Sequence, residues 1–144
     1  MSNEPSTPSS GEIDWAALRD AATDAMSHAY APYSRFAVGA AALVTDGRVI
    51  TGCNVENISY GLTLCAECAL VSLLHLTGGG QLVASTCVDS SGAVIVACGR
   101  CRQLLMEHAV PGMLVETPSG IRTIDEILPD DFAPNQLASH RSET

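Results

Sequence analysis

Positive charge is scarce in this chain: seven Lys and Arg stand against sixteen Asp and Glu, a formal net charge of −9. Binding to a phosphate backbone depends on clustered cations that release counterions, so nucleic acid is excluded as an expected partner. Also missing is any apolar run near the ~18 residues that a membrane span requires. The opening stretch, Met1 to Gly11, is polar and rich in Ser and Pro, with neither the cationic start nor the apolar centre of a secretory signal. A soluble, cytoplasmic protein with no membrane partner is the expectation. Charged residues are few as well, at 16% against 47% hydrophobic, which argues against disorder and suggests apolar surface hidden between copies of the chain. A length of 144 residues suits one domain with its own core.

Within that length, residues 1–11 read as a flexible tail, 12–134 as the folded domain and 135–144 as a second, frayed tail. Asp14 is placed to cap a helix whose apolar face runs Trp15, Leu18, Ala22, Ala25, Met26 and Ala29, with Pro32 ending it. Ala37 to Val44 and Val49 to Cys53 flank Asp46-Gly47 and predict a hairpin. From Cys65 a helix of about three turns should bury Leu70, Leu73, Leu74 and Leu76 before Gly78-Gly79-Gly80 stops it. Leu82 to Val88 and Ala93 to Val96 read as strands, Cys98 to His108 as a helix, Met113 to Glu116 as a strand after Pro111, and Thr123 to Leu128 as a short last helix. Helices alternating with strands around one sheet imply a layered α/β domain of mixed strand direction.

Six cysteines in a reducing compartment point to metal sooner than to disulfides. Cys65-Ala66-Glu67-Cys68 and Cys98-Gly99-Arg100-Cys101 form two CxxC pairs separated by 29 residues, each where a loop feeds a helix. Such paired spacing is a strong zinc signal. One reading is a closed structural site of Cys65, Cys68, Cys98 and Cys101 with no chemistry of its own. The other turns on Glu67, a carboxylate two residues after Cys65 that can reach the open face of a catalytic ion, which needs only three protein ligands. Helix N-termini favour the anionic thiolate in either case. In zinc deaminases a His or Cys, one residue and a Glu are followed downstream by CxxC, and the Glu is not a ligand.

That pattern has company. Ala31-Pro32-Tyr33-Ser34-Arg35-Phe36-Ala37-Val38-Gly39-Ala40 precedes Thr51-Gly52-Cys53-Asn54-Val55-Glu56-Asn57 and Ser59-Tyr60-Gly61-Leu62-Thr63, and Cys98-Gly99-Arg100-Cys101 continues into Arg102-Gln103. In order and spacing the chain resembles the small homotetrameric zinc-dependent cytidine deaminases from about Trp15 to Phe132. The resemblance implies a three-layer α/β/α domain around a mixed sheet, and one Zn²⁺ per chain on Cys65, Cys98 and Cys101. Glu67 would shuttle protons during hydrolysis of cytidine or deoxycytidine in pyrimidine salvage. Asn54 and Glu56 would hold ribose hydroxyls, Ala66 and Phe36 would lie against the nucleoside, and Phe132 would enter a neighbouring subunit's site, so that a homotetramer shares its active sites. Taken alone, Phe36 and Phe132 read as core residues, Asn54 as a turn residue, and Cys53 and Cys87 as ordinary buried thiols. A deaminase of a nucleoside-like antibiotic or of a base within RNA shares the same zinc core, although the acidic balance disfavours RNA.

Two positions depart from the family pattern: Cys68 stands where Arg is common, and Ala97 where Pro often precedes the CxxC. Three thiolates on a divalent ion leave excess negative charge, which a neighbouring cation offsets through charge-assisted hydrogen bonds. Without the usual Arg, either Arg100 or Arg102 takes that place beside Cys68, or Cys68 becomes a fourth ligand and closes the site.

Overall fold

In a computed structural model of the chain, residues 9–141 are described. A short 3₁₀ turn, Ser10–Glu12, leads to α1 (Trp15–Met26), whose first turn is capped by Asp14 accepting from Ala17 N–H at 3.0 Å. The helix stops at Met26, short of Ala29 and Pro32, because Ser27 closes it with its hydroxyl on the Asp24 carbonyl at 2.6 Å. The hairpin follows as β1 (Val38–Val44) and β2 (Val49–Cys53). Then come α2 (Ala66–Leu76), β3 (Leu82–Asp89), β4 (Val94–Ile95), α3 (Gly99–Glu107), β5 (Ala109–Thr117), β6 (Gly120–Thr123), α4 (Ile124–Ile127) and α5 (Asn135–Arg141).

The strands form one mixed six-stranded sheet in the order β2-β1-β3-β5-β6, with β4 pairing β3. β1 is antiparallel to β2 and β3, while β3 and β5 run parallel, joined by the α3 crossover. Strand alternation sorts side chains to two faces. Ala41, Ala84 and Val88 pack with Leu18 and Ala22 of α1. Ala40, Ala42, Val44 and Cys87 pack with Leu70 and Leu74 of α2 and Leu105 of α3. Helix, sheet and helix therefore make the expected three layers.

Two glycines set how close those layers come. A Cβ on Gly39 would lie 1.9 Å from the Ala22 carbonyl oxygen, and one on Gly52 2.2 Å from that of Ala66. Gly52 thus fixes the height of α2's first turn over the sheet, the turn that carries Glu67.

Several expectations are corrected. Leu76 is exposed, because it falls on the outer side of the last turn, and Leu73 is only half buried. Pro111 lies inside β5, tolerated because the pairing of β5 with β3 skips from Ala109 to Leu114. The sequence predicts no strand where β6 pairs antiparallel with β5; Thr117 Oγ1 accepts from Ser119 N–H at 3.3 Å and donates to the Gly120 carbonyl at 2.7 Å, closing the turn through Pro118. Most of the stretch read as a frayed C-terminal tail is helix α5, entered through Pro134 and started by the Ala133 N–H donating to Gln136 Oε1 at 2.7 Å. Residues 1–8, most of the other tail, lie outside the described residues.

Candidate active site

α2 and α3 both begin on a cysteine with no side-chain cap of the usual kind: Cys65 and Cys98 are the N-cap residues, in extended backbone. Their sulfurs meet between the two helix ends, 3.8 Å apart. Cys101, one turn into α3 and fully buried, brings a third sulfur. The three ligand atoms all lie within 4.8 Å of one another, the group among the described residues that converges in this way. A regular tetrahedron with zinc–sulfur bonds of about 2.3 Å has edges of about 3.8 Å, so the spacing and the donor set both fit zinc.

Charge around the sulfurs is uneven. Burial pushes the Cys98 thiol up, yet hydrogen bonds from the Cys101 and Arg100 backbone and from the neighbouring thiols outweigh it and hold Cys98 below the ordinary thiol value. Burial, with the Cys98 charge adding to it, raises Cys65. Burial and then the charge of Glu67 raise Cys101 far more. A metal ion must displace the protons from these last two.

Cys68 stands outside the converging group. Its sulfur accepts from Arg100 Nη2 at 3.0 Å, bridging the first turns of α2 and α3. Contact with Cys68, then the charges of Cys68, Cys65 and Cys101, raises the Arg100 pKa, so the guanidinium sits within the field of the cluster. Arg102 is turned elsewhere, with Nε on the Ala97 carbonyl at 2.8 Å and Nη1 on the Ile127 carbonyl at 3.0 Å, tying α3 to α4.

Glu67 is 4% exposed, at the inner side of α2's first turn. Its Oε1 accepts from the Cys87 thiol at 2.7 Å. Burial, then the charge of Glu67, raises Cys87 well above the ordinary thiol value and keeps it a donor. Glu67 lines a cavity of about 180 Å³ together with Cys65, Ala66, Cys98 and Asn54. Asn54 is buried and doubly engaged, donating to the Phe36 carbonyl at 2.8 Å and accepting from Val38 N–H at 2.9 Å, so it pins the approach to β1 as well as lining the cavity.

Glu56 borders an adjoining hollow with Tyr33, Ser34, Tyr60 and Thr63. Its Oε1 accepts from the Tyr33 and Ser34 N–H groups at 3.0 and 3.1 Å, and the Ser34 hydroxyl does most to hold its pKa below the usual carboxylate value. Thr63 lines both hollows and joins them. Phe36 and Phe132 are not core residues: they are 49% and 60% exposed and neither lines the cavity. The backbone of Phe132 is held instead by Gln103 of α3, through bonds of 2.9 and 3.3 Å.

Residues 14–117 match the family model of the cytidine and deoxycytidylate deaminase zinc-binding region. The chain belongs to this deaminase family. Among its relatives is the cytidine deaminase of Mycobacterium tuberculosis, 58% identical over 130 residues, or 90% of this chain and 98% of the relative. The crystal structure of that organism's cytidine deaminase superposes with a TM-score of 0.81 at 62% identity, over 83% of this chain and 98% of the other. That of the Mycobacterium leprae cytidine deaminase gives 0.80 at 54%, over 82% and 99%. The six-stranded mixed sheet with flanking helices is thus the deaminase fold, and the three-cysteine cluster lies in the segment the family uses for zinc.

Two features of the site escaped the sequence. Cys87 carries no spacing signal, being one inward position of a strand, and Thr63 belongs to a motif whose individual members the sequence does not rank.

Proposed function

We propose that this protein is a zinc-dependent cytidine deaminase that hydrolyses cytidine and deoxycytidine to the uridine products and ammonia. The observation that carries the reading is a buried carboxylate, Glu67, in one cavity with two of three converging cysteines. Cys65, Cys98 and Cys101 hold the ion, one per chain. When bound, zinc supplies a Lewis acid that lowers the pKa of water at its open position towards neutrality. Glu67 accepts one proton of the attacking water and delivers it to N3 of the pyrimidine so that C4 becomes electrophilic. It then takes the second proton from the oxygen now bound to C4 and passes it to the amino group, which leaves as ammonia when the C4–N bond breaks. Arg100 offsets the thiolate charge in place of the family's usual Arg, and its hold on Cys68 supports an open coordination position over a closed four-cysteine shell. Glu56, ionised and beside the cavity, and Asn54 take the sugar hydroxyls, while Ala66 packs against the base.

Residues 12–134 make up the catalytic domain in this reading. Exposed Tyr30, Phe36, Ile58, Tyr60, Leu62 and Leu64 give the chain an apolar surface that suits assembly into a homotetramer. Phe132 then serves a neighbour's site, and Phe36 closes against the nucleoside. No helix among the described residues is long and apolar enough to cross a membrane, consistent with salvage chemistry in the cytoplasm.

A zinc-content measurement paired with an ultraviolet assay tests this directly. One zinc per chain and loss of cytidine absorbance are expected. Stoichiometric zinc without turnover would contradict the enzyme and favour a structural metal module.

A further inference from the structure

Among the described residues two glutamates are buried, and adjacent residues of β3 serve them from opposite faces of the sheet. On the α1 face, Thr86 Oγ1 donates to Glu116 Oε2 at 2.7 Å, while Glu116 Oε1 receives the Arg19 guanidinium. Both oxygens are taken and one partner is a cation, which suits a carboxylate that only holds layers together. On the α2 face, Cys87 donates to Glu67 Oε1 at 2.7 Å. Among the described residues no ion pair reaches Glu67. The one other side chain that hydrogen-bonds to it is Cys101 of the three-cysteine cluster, whose thiol gives up its proton when it binds an ion, so that Cys87 is the donor that remains.

We propose that Cys87 is a positioning residue for the deamination reaction, its thiol anchoring one oxygen of Glu67 so that the other stays free towards the cavity. The inference rests on the function proposed above. A buried carboxylate needs at least one donor to offset its lost hydration. A guanidinium in that place would bind it strongly and often through both oxygens. A thiol is a weak donor with a single hydrogen. It fixes the side-chain rotamer of Glu67 without occupying the second oxygen or competing with substrate for it. Cys87 itself is rigid, buried in the core layer between α2, α3 and the sheet. A carboxylate that relays protons between fixed atoms depends on such placement, since a displacement of about 1 Å can cost on the order of a hundredfold in rate.

The test compares Cys87→Val, which fills the space but has no donor, with Cys87→Ser, which keeps one. Cys87→Val should retain one zinc per chain and a near-normal KM for cytidine, with kcat reduced about tenfold or more. Cys87→Ser should recover most of that loss. Cys87→Ala, also lacking a donor, repeats the comparison if the valine variant does not fold. Wild-type kcat in the donor-less variants, or equal losses in all three that track their melting temperatures, would overturn the role. A wild-type protein that holds zinc yet leaves cytidine unchanged would overturn the function beneath it, and that failure appears before any variant is made.

Discussion

Arg100 and Cys68 bind each other across the gap between two helix starts, guanidinium Nη2 to Sγ at 3.0 Å. Where the family commonly places Arg beside the zinc cysteines, this chain has a thiol, and the cation approaches from the other CxxC. Arg100→Gln should therefore weaken zinc retention and lower turnover severalfold, because the thiolate cluster loses its nearest compensating donor. Cys68→Ser should keep both zinc and measurable activity. Metal analysis after dialysis against a chelator, with assays alongside, checks the pair; a Cys68→Ser protein stripped of zinc would contradict the assignment. Arg102→Gln should act differently, lowering the melting temperature through the lost ties to the Ala97 and Ile127 carbonyls.

Glu67→Gln keeps the shape of the side chain and removes its ability to take a proton. The variant should hold one zinc per chain and lose nearly all turnover, a drop on the order of a hundredfold or more if general acid–base catalysis is at stake. Loss of the metal from a folded variant would instead make Glu67 part of the metal's support.

Phe132 is 60% exposed beside a groove formed with Gln103, Pro134 and Leu137, away from its own chain's cavity. Phe132→Ala should weaken nucleoside binding without loss of zinc. Mixing it with Glu67→Gln chains should regenerate some intact sites, visible as activity above that of either parent. Mixed oligomers no more active than their parents would place each site within one chain.

At the far ends of α2 and α3, the rings of His75 and His108 meet edge to face with centroids 5.0 Å apart. Burial, then the His75 charge, holds His108 below its ordinary value of 6.5. The folded protein thus keeps His108 neutral at pH values where the unfolded chain already binds a proton. Stability from this pair is present above pH 6.5 and is lost as pH falls towards the lowered folded value. Urea melts of His108→Gln should show a shallower decline in stability over that window than the parent; parallel declines would remove His108 from the account.

Local chemistry made much of this fold legible. Asp14 and Thr123 are caps whose side chains accept from Ala17 and Glu126 N–H as their residue types suggest, and Asp46-Gly47 turns the hairpin as read. The cysteine pairs announce their own convergence because N-cap positions of two neighbouring helices point at one space. What the sequence hid depends on tertiary partners. Phe36 and Phe132 look like core residues until the sheet leaves them outside, and α5 and the Gln103 bonds that lead into it need α3 to be in place. The thiol of Cys87 becomes meaningful only when β3 passes beneath Glu67.

X-ray absorption at the zinc edge of the active, unliganded protein bears most directly on the central claim. Cys65, Cys98 and Cys101 as the protein's metal ligands predict three sulfurs at about 2.3 Å and one light scatterer nearer 2.0 Å. A shell of four sulfurs would bring Cys68 into coordination, leave no open position and contradict the account.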